Sequence, residues 1–125
     1  MLTRRVIPCM DIKGGRIVKG VRFAGLRDAG DPVVRAKEYE LQGADEIVIL
    51  DVSATPEGRG AALETVAAVR EVLSIPLTVG GGVRTAVDAV RLLEAGADKV
   101  GVNTAAVDRP GLIAEIAALV GRQCV

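Results

Sequence analysis

Histidine is absent from the 125 residues, and the aromatic side chains are Tyr39 and Phe23 alone. The first absence removes the commonest general base and the commonest metal ligand. The second leaves little on which nucleic-acid bases could stack. Two cysteines, Cys9 and Cys124, stand too far apart in sequence for a metal-ligand spacing and are too few for a disulfide-built scaffold, so a reduced, cytoplasmic setting is expected. Sixteen basic residues balance sixteen acidic ones, which argues against a polyanion as partner. No stretch reaches the roughly 18 apolar residues of a membrane span, and the arginines near the start have no long apolar region behind them, so neither a membrane segment nor a secretion signal is expected.

What is present is aliphatic. Hydrophobic residues make up 50% of the chain while aromatics make up 2%, so the core is built from Val, Ile, Leu and Ala, as in a parallel sheet covered by helices. Apolar runs of strand length lie at 5–11, 46–52, 75–79 and 99–103, and each precedes loop chemistry and a helical pattern, at 32–41, 61–73, 85–94 and 110–120. In the second helix Leu63, Val66, Val69, Val72 and Leu73 fall on one stripe. Asp31 before Pro32 and Asp108 before Pro110 supply starts, and Gly43, Gly96 and Gly121 supply ends. Four βα units in one domain over residues 1–125 follow, with the strands parallel.

An internal repeat strengthens this plan. Gly-Ala-Asp at 43–45 recurs at 96–98, an offset of 53, and Ile-Pro at 7–8 recurs at 75–76, an offset of 68 that also superposes Gly14 on Gly82 and Arg16 on Arg84. The first unit therefore holds about 15 more residues, in a long first βα loop. Its Lys19, Arg22 and Arg27 suit an anion-contacting flap; a solvated loop with scattered charges is the competing description.

Ligands of parallel α/β folds gather beyond the carboxyl ends of the strands. At those ends stand Asp11, Asp51, the triplet Gly80-Gly81-Gly82, and Asn103-Thr104. Glycine amides and short polar side chains at helix starts suit a phosphate cradle. Asp11 and Asp51 form a possible acid and base, although for Asp51 a loop-capping role is favoured. Cys9 reads as a buried apolar cysteine rather than a nucleophile, because no histidine is there to activate it. At the opposite strand ends lie Arg5, Glu46 and Lys99, which either form an inward ring of paired charge or fray into solvent.

The motifs PCMDIKGGRIVKG, FAGLRDAGDPV, DEIVILDVSAT, TVGGGVRT and ADKVGVNTAAVDRP together resemble the amino-terminal half of the cyclase subunit of imidazole glycerol phosphate synthase, from histidine biosynthesis. The resemblance implies a (βα)4 half of a (βα)8 barrel: a four-stranded parallel sheet with helices on its outer face, the sequence ending in RQCV where the family's fifth strand begins. It implies that Asp11 is one of two catalytic aspartates, the other belonging to the second half. Lys19 matches a loop residue near the substrate, and Gly82, Asn103 and Thr104 match one of two phosphate sites. Arg5, Glu46 and Lys99 match a charged gate, and Asp98 lies on the face that meets the glutaminase subunit.

In that family, ammonia from the glutaminase reacts with a phosphoribulosyl formimino nucleotide, and no metal or cofactor is implied. The expected ligand is a phosphorylated small molecule or inorganic phosphate. A lone half would present strands one and four as free edges and an inner face with apolar side chains, so self-association is expected. A half-barrel that binds phosphate and self-assembles without chemistry is the alternative, and an isomerase of the same pathway is a third possibility.

Overall fold

The computed structural model describes residues 3–22, 24–53 and 56–125. Phe23, and Ala54 and Thr55 of the fourth quoted motif's predecessor DEIVILDVSAT, lie outside the described residues. The elements run β1 (Cys9–Lys13), β2 (Arg16–Val21), β3 (Ala24–Gly30), α1 (Pro32–Leu41), β4 (Ile47–Asp51), α2 (Pro56–Val72), β5 (Leu77–Gly80), α3 (Ala86–Ala95), β6 (Lys99–Gly101), α4 (Thr104–Asp108), α5 (Gly111–Val120) and a 3₁₀ turn, Arg122–Cys124.

The strands form one sheet in the order β3-β2-β1-β4-β5-β6. The pairs β1–β4, β4–β5 and β5–β6 are parallel, as the repeated βα plan requires. The expectation of four strands needs correction, because the long first loop is itself a β-hairpin: β2 pairs antiparallel with β1 and β3 with β2. This hairpin meets only the carboxyl end of β1, through Ile12 opposite Ile17 and Lys13 opposite Arg16. The expected free edge of strand one is thus partly covered.

Local signals set the helix boundaries. The Asp31 carboxylate accepts from the Val33 N–H at 2.8 Å with proline in the first turn of α1. Thr85 and Asp88 cap one another reciprocally at the start of α3. Gly43 and Gly96 follow α1 and α3 with φ of +96° and +126°, where a side chain would be strained.

Period-two alternation divides the parallel strands into two faces. Met10, Ile12, Ile47, Ile49, Leu77, Val79 and Val100 are buried beneath the helices, against Ala36, Val66, Val69, Ala89, Leu92, Leu112 and Ile116. The inner face, turned from the helices, carries Cys9, Asp11, Val48, Leu50, Thr78, Gly80, Lys99 and Gly101. Its apolar part is therefore confined to half-buried Val48 and Leu50. Exposed apolar side chains are spread over the helices, with Val34 and Leu41 on α1, Val87 on α3, Val107 on α4, and Ile113 and Leu119 on α5. Among the described residues no helix is long and apolar enough to cross a membrane.

Candidate functional site

Register brings the carboxyl-end residues together. Asp11 pairs with Leu50, Leu50 with Gly80 and Gly80 with Gly101, one row across four parallel strands. Three strand spacings put the ends of this row about 14 Å apart. Asn103 follows Gly101 by two residues, so it lies beyond the same rim as Asp11. The half-buried Asp11 carboxylate enters no ion pair among the described residues.

Cys9 shares the face of Asp11. It is exposed rather than buried as expected, because it stands on the face turned from the helices. Partial desolvation, and then the nearby Asp11 charge, push its thiol above the usual value, which makes it a poor nucleophile. Both cysteines are free thiols.

Asp51 stands on the helix side of the sheet, 8% exposed, and its Oδ1 accepts the Ser53 N–H at 2.9 Å and the Ser53 hydroxyl. It caps a turn and does not face Asp11, because alternation separates the faces of Leu50 and Asp51. The acid and base pairing of Asp11 with Asp51 is thereby excluded.

The glycine triplet has distinct demands at each position. A Cβ on Gly80 would come within 3.1 Å of the Gly101 carbonyl oxygen, and one on Gly81 would come 2.1 Å from the Asp51 carbonyl oxygen. Gly82 has φ +68° and open space where a Cβ would stand. Side chains cap the start of α3: Asp88 accepts from the Arg84 and Thr85 N–H groups at 3.0 and 3.1 Å, and the Asp88 N–H donates to the Thr85 hydroxyl at 3.2 Å. No side chain caps α4: Asn103 bonds through its carbonyl to the Ala106 and Val107 N–H groups, and its side chain is exposed. The open amides at this rim therefore belong to the glycine turn and to Thr104 and its neighbour.

Lys19 lies on the exposed hairpin opposite Arg27. Alternation from Ile17 places it on the side away from Asp11, so the structure does not bring these two together.

At the amino-terminal end the charges converge on Glu46, which is 4% exposed. Its carboxylate accepts from the Thr78 hydroxyl at 2.7 Å, from Lys99 Nζ at 3.2 Å and from the Arg5 guanidinium at 3.2 Å. The Thr78 bond foremost, then the ammonium and guanidinium, hold Glu46 below the usual carboxylate range against the opposing effect of burial. The paired arrangement therefore replaces the fraying alternative, although Arg5 precedes β1 and its side chain is 62% exposed. Thr78 was not foreseen; the polar residue alternating with Leu77 and Val79 is the signal that marks it.

Asp98 lies at the same end. Its Oδ2 accepts from the Arg70 guanidinium and the Leu77 N–H, both at 2.8 Å, while its own N–H donates to the Leu77 carbonyl at 2.8 Å. Asp45, in the first copy of the triplet, makes the same reciprocal pair with Val6, at 2.7 and 2.9 Å. The repeated Gly-Ala-Asp is thus a clamp: glycine ends a helix and aspartate ties the next strand to its predecessor. No group of three or more metal-ligating side chains occurs among the described residues.

Residues 5–125 match the family model described as histidine biosynthesis protein. The chain is 57% identical to the imidazole glycerol phosphate synthase subunit HisF of Lysinibacillus sphaericus, over all of this chain and 49% of that relative. It is 58% identical to the subunit of the same name from Hyphomonas neptunium, over all of this chain and 50% of the relative, and 59% identical to that of Corynebacterium diphtheriae, over 97% and 47%. The chain spans about half the length of these curated relatives. Four parallel βα units are half of the eight in the family's barrel. By sequence and architecture together, the chain belongs to the histidine biosynthesis protein family, as a half-length homologue of HisF.

Proposed function

We propose that this chain supplies half of the cyclase barrel of imidazole glycerol phosphate synthase, with Asp11 as a proton-transferring group and a phosphate held between Gly82, Asn103 and Thr104. One observation supports the reading: the register row Asp11, Leu50, Gly80 and Gly101, with Gly82 and Asn103 each two residues beyond its Gly80 and Gly101 members. A carboxylate that enters no ion pair among the described residues suits proton transfer to a ligand, and uncapped amides suit a phosphate oxygen. Lys19 joins this site only with the hairpin turned toward the inner face.

The Glu46 cluster with Arg5 and Lys99 closes the inner face at the far end as the charged gate that the resemblance implies, and Asp98 borders the surface for a glutaminase partner. The free thiols suit a cytoplasmic protein. Among the described residues the sheet ends at β6 with no further strand at its outer edge, and Ile113 and Leu119 on α5 are exposed. A second half, or a second copy, covers them. Sedimentation showing a stable monomer at micromolar concentration rejects the second-copy form.

A non-catalytic, phosphate-binding half-barrel is the second reading. It is favoured by the carboxylates of the inner face, where Asp11 and Glu46 stand at opposite strand ends and so cannot act as a pair. Turnover with ammonia, for the wild type and Asp11→Asn, separates the two. Loss of a measurable rate on substitution supports catalysis, whereas equal background rates leave binding and assembly. Titration with inorganic phosphate, compared with Asn103→Ala, tests the cradle, and unchanged binding in the variant counts against it.

A further inference from the structure

Arg70 and Asp98 meet at the amino-terminal face, where Arg70 Nη1 donates to Asp98 Oδ2 at 2.8 Å. The guanidinium is oriented independently of that bond, because its Nη2 donates to the Leu73 and Ile75 carbonyls at 2.8 and 2.9 Å. The loop that supplies these carbonyls is held from its other side: Glu40 of α1 accepts from the Ser74 N–H at 2.9 Å and from the Ser74 hydroxyl. The Arg70 stem lies across Gly96, where a Cβ would stand 2.7 Å from its Cγ. Asp98 receives the Leu77 N–H on the same Oδ2, and among the described residues nothing donates to its Oδ1. Half of the Asp98 side chain is exposed, so the carboxylate is reachable while one of its oxygens is pinned.

The first copy of the triplet supplies the comparison. Asp45 makes the same reciprocal pair, with Val6, but enters no ion pair among the described residues. Tying a strand to its predecessor therefore needs no arginine.

We propose that Arg70 is a positioning residue for partner docking: it pins Asp98 Oδ2 and so fixes the direction in which Oδ1 is offered to a hydrogen-bond donor on the glutaminase subunit. The role rests on the reading of Asp98 as bordering that subunit's surface. A carboxylate held in one rotamer before contact loses less side-chain entropy on binding than a free one. The neighbouring guanidinium also offsets the carboxylate charge, which opposes attraction to a cationic donor. The two effects have opposite signs. At an exposed site water and salt screen the second, so ordering decides the outcome.

Isothermal titration of the glutaminase subunit into the full chain at physiological salt tests this. Arg70→Ala is expected to bind about tenfold more weakly than wild type, Arg70→Lys in between because an ammonium lacks the fork, and Asp98→Ala most weakly. In the Asp98→Ala background Arg70→Ala is expected to bring no further loss, a coupling that a purely structural role does not produce. Leu92→Ala, a core substitution in α3, is expected to lose stability and bind as wild type. Equal or tighter binding in Arg70→Ala while Asp98→Ala weakens it overturns the positioning role alone. A further loss in the double variant does the same, as does weakening in Leu92→Ala that matches Arg70→Ala. Wild-type affinity in Asp98→Ala, or no binding by the wild type, overturns the docking reading and the positioning role with it.

Discussion

Glu46 and Lys99 occupy the same place in the two repeats, each directly after Gly-Ala-Asp and 53 residues apart, and they are bonded to each other at 3.2 Å. Equivalent positions carrying opposite charge meet because both face inward from the amino-terminal ends of β4 and β6, with Thr78 of β5 between them. The repeat therefore joins its own halves through a complementary pair.

Glu46→Gln is expected to destabilise the fold by about 1–3 kcal/mol, because the charge that Lys99 and Arg5 approach disappears while the site stays buried. Lys99→Met is expected to cost less, since Thr78 and Arg5 remain on the carboxylate and Lys99 is partly exposed. Urea denaturation of both variants at neutral pH measures the difference, and equal costs would show that Lys99 is the indispensable partner.

The same cluster gives a pH dependence of known sign. The folded-state pKa of Glu46 lies below its ordinary value of 4.5, so the native state holds fewer protons than the unfolded chain in that range. The stabilisation is complete above about 4.5 and is lost as pH falls through the lower folded value. Urea midpoints between pH 6 and 3 are expected to fall in the wild type and to fall less steeply in Glu46→Gln. Asp28 and Glu40 are also held low, by Arg16 and by Ser74, and retain a residual slope in the variant.

Arg70→Ala tests the clamp at the second triplet. The guanidinium bonds Asp98 at 2.8 Å and the carbonyls of Leu73 and Ile75 at 2.8 and 2.9 Å, joining the end of α2 to the starts of β5 and β6. Its removal is expected to cost about 1.5–3 kcal/mol in urea denaturation, as for hydrogen bonds to a charged group. Arg70→Lys, with a single point charge in place of the fork, is expected to recover only part of it.

The βα plan was legible because its signals are local or strictly periodic. The helix read at 32–41 is α1 as observed, since Asp31 and Pro32 determine its start without help from the rest of the fold. Helix α2 begins earlier than its apolar stripe, at Pro56, so it includes Gly58 and Gly60, which propensity alone disfavours. The helix read at 110–120 is α5, while the short α4 before it, Thr104–Asp108, is additional to the four expected helices.

The hairpin was hidden for a different reason. Its strands pair mainly with each other, their charges mask alternation, and glycines at 20, 25 and 30 read as loop. The 68-residue offset also misleads within the strands: it aligns Cys9 of the inner face with Leu77 of the helix face, and a one-residue slip of this kind reverses every side chain. Thr78 as partner of Glu46 depends on the register between strands, which no local pattern specifies.

Gly81 and Gly82 provide the sharpest test of how the rim is built. Both have positive φ, +92° and +68°, so alanine is strained at either position. At Gly82 that strain is the whole effect, since its Cβ meets open space, and Gly82→Ala is expected to cost about 1 kcal/mol. At Gly81 the Cβ would also stand 2.1 Å from the carbonyl oxygen of Asp51, so the β5 turn must move away from β4. Gly81→Ala is therefore expected to cost more than about 3 kcal/mol and to weaken the phosphate binding proposed for the rim together with stability. Denaturation and phosphate titration of both variants check this order, and similar costs at the two positions would show that backbone conformation alone, rather than the close approach to Asp51, demands glycine here.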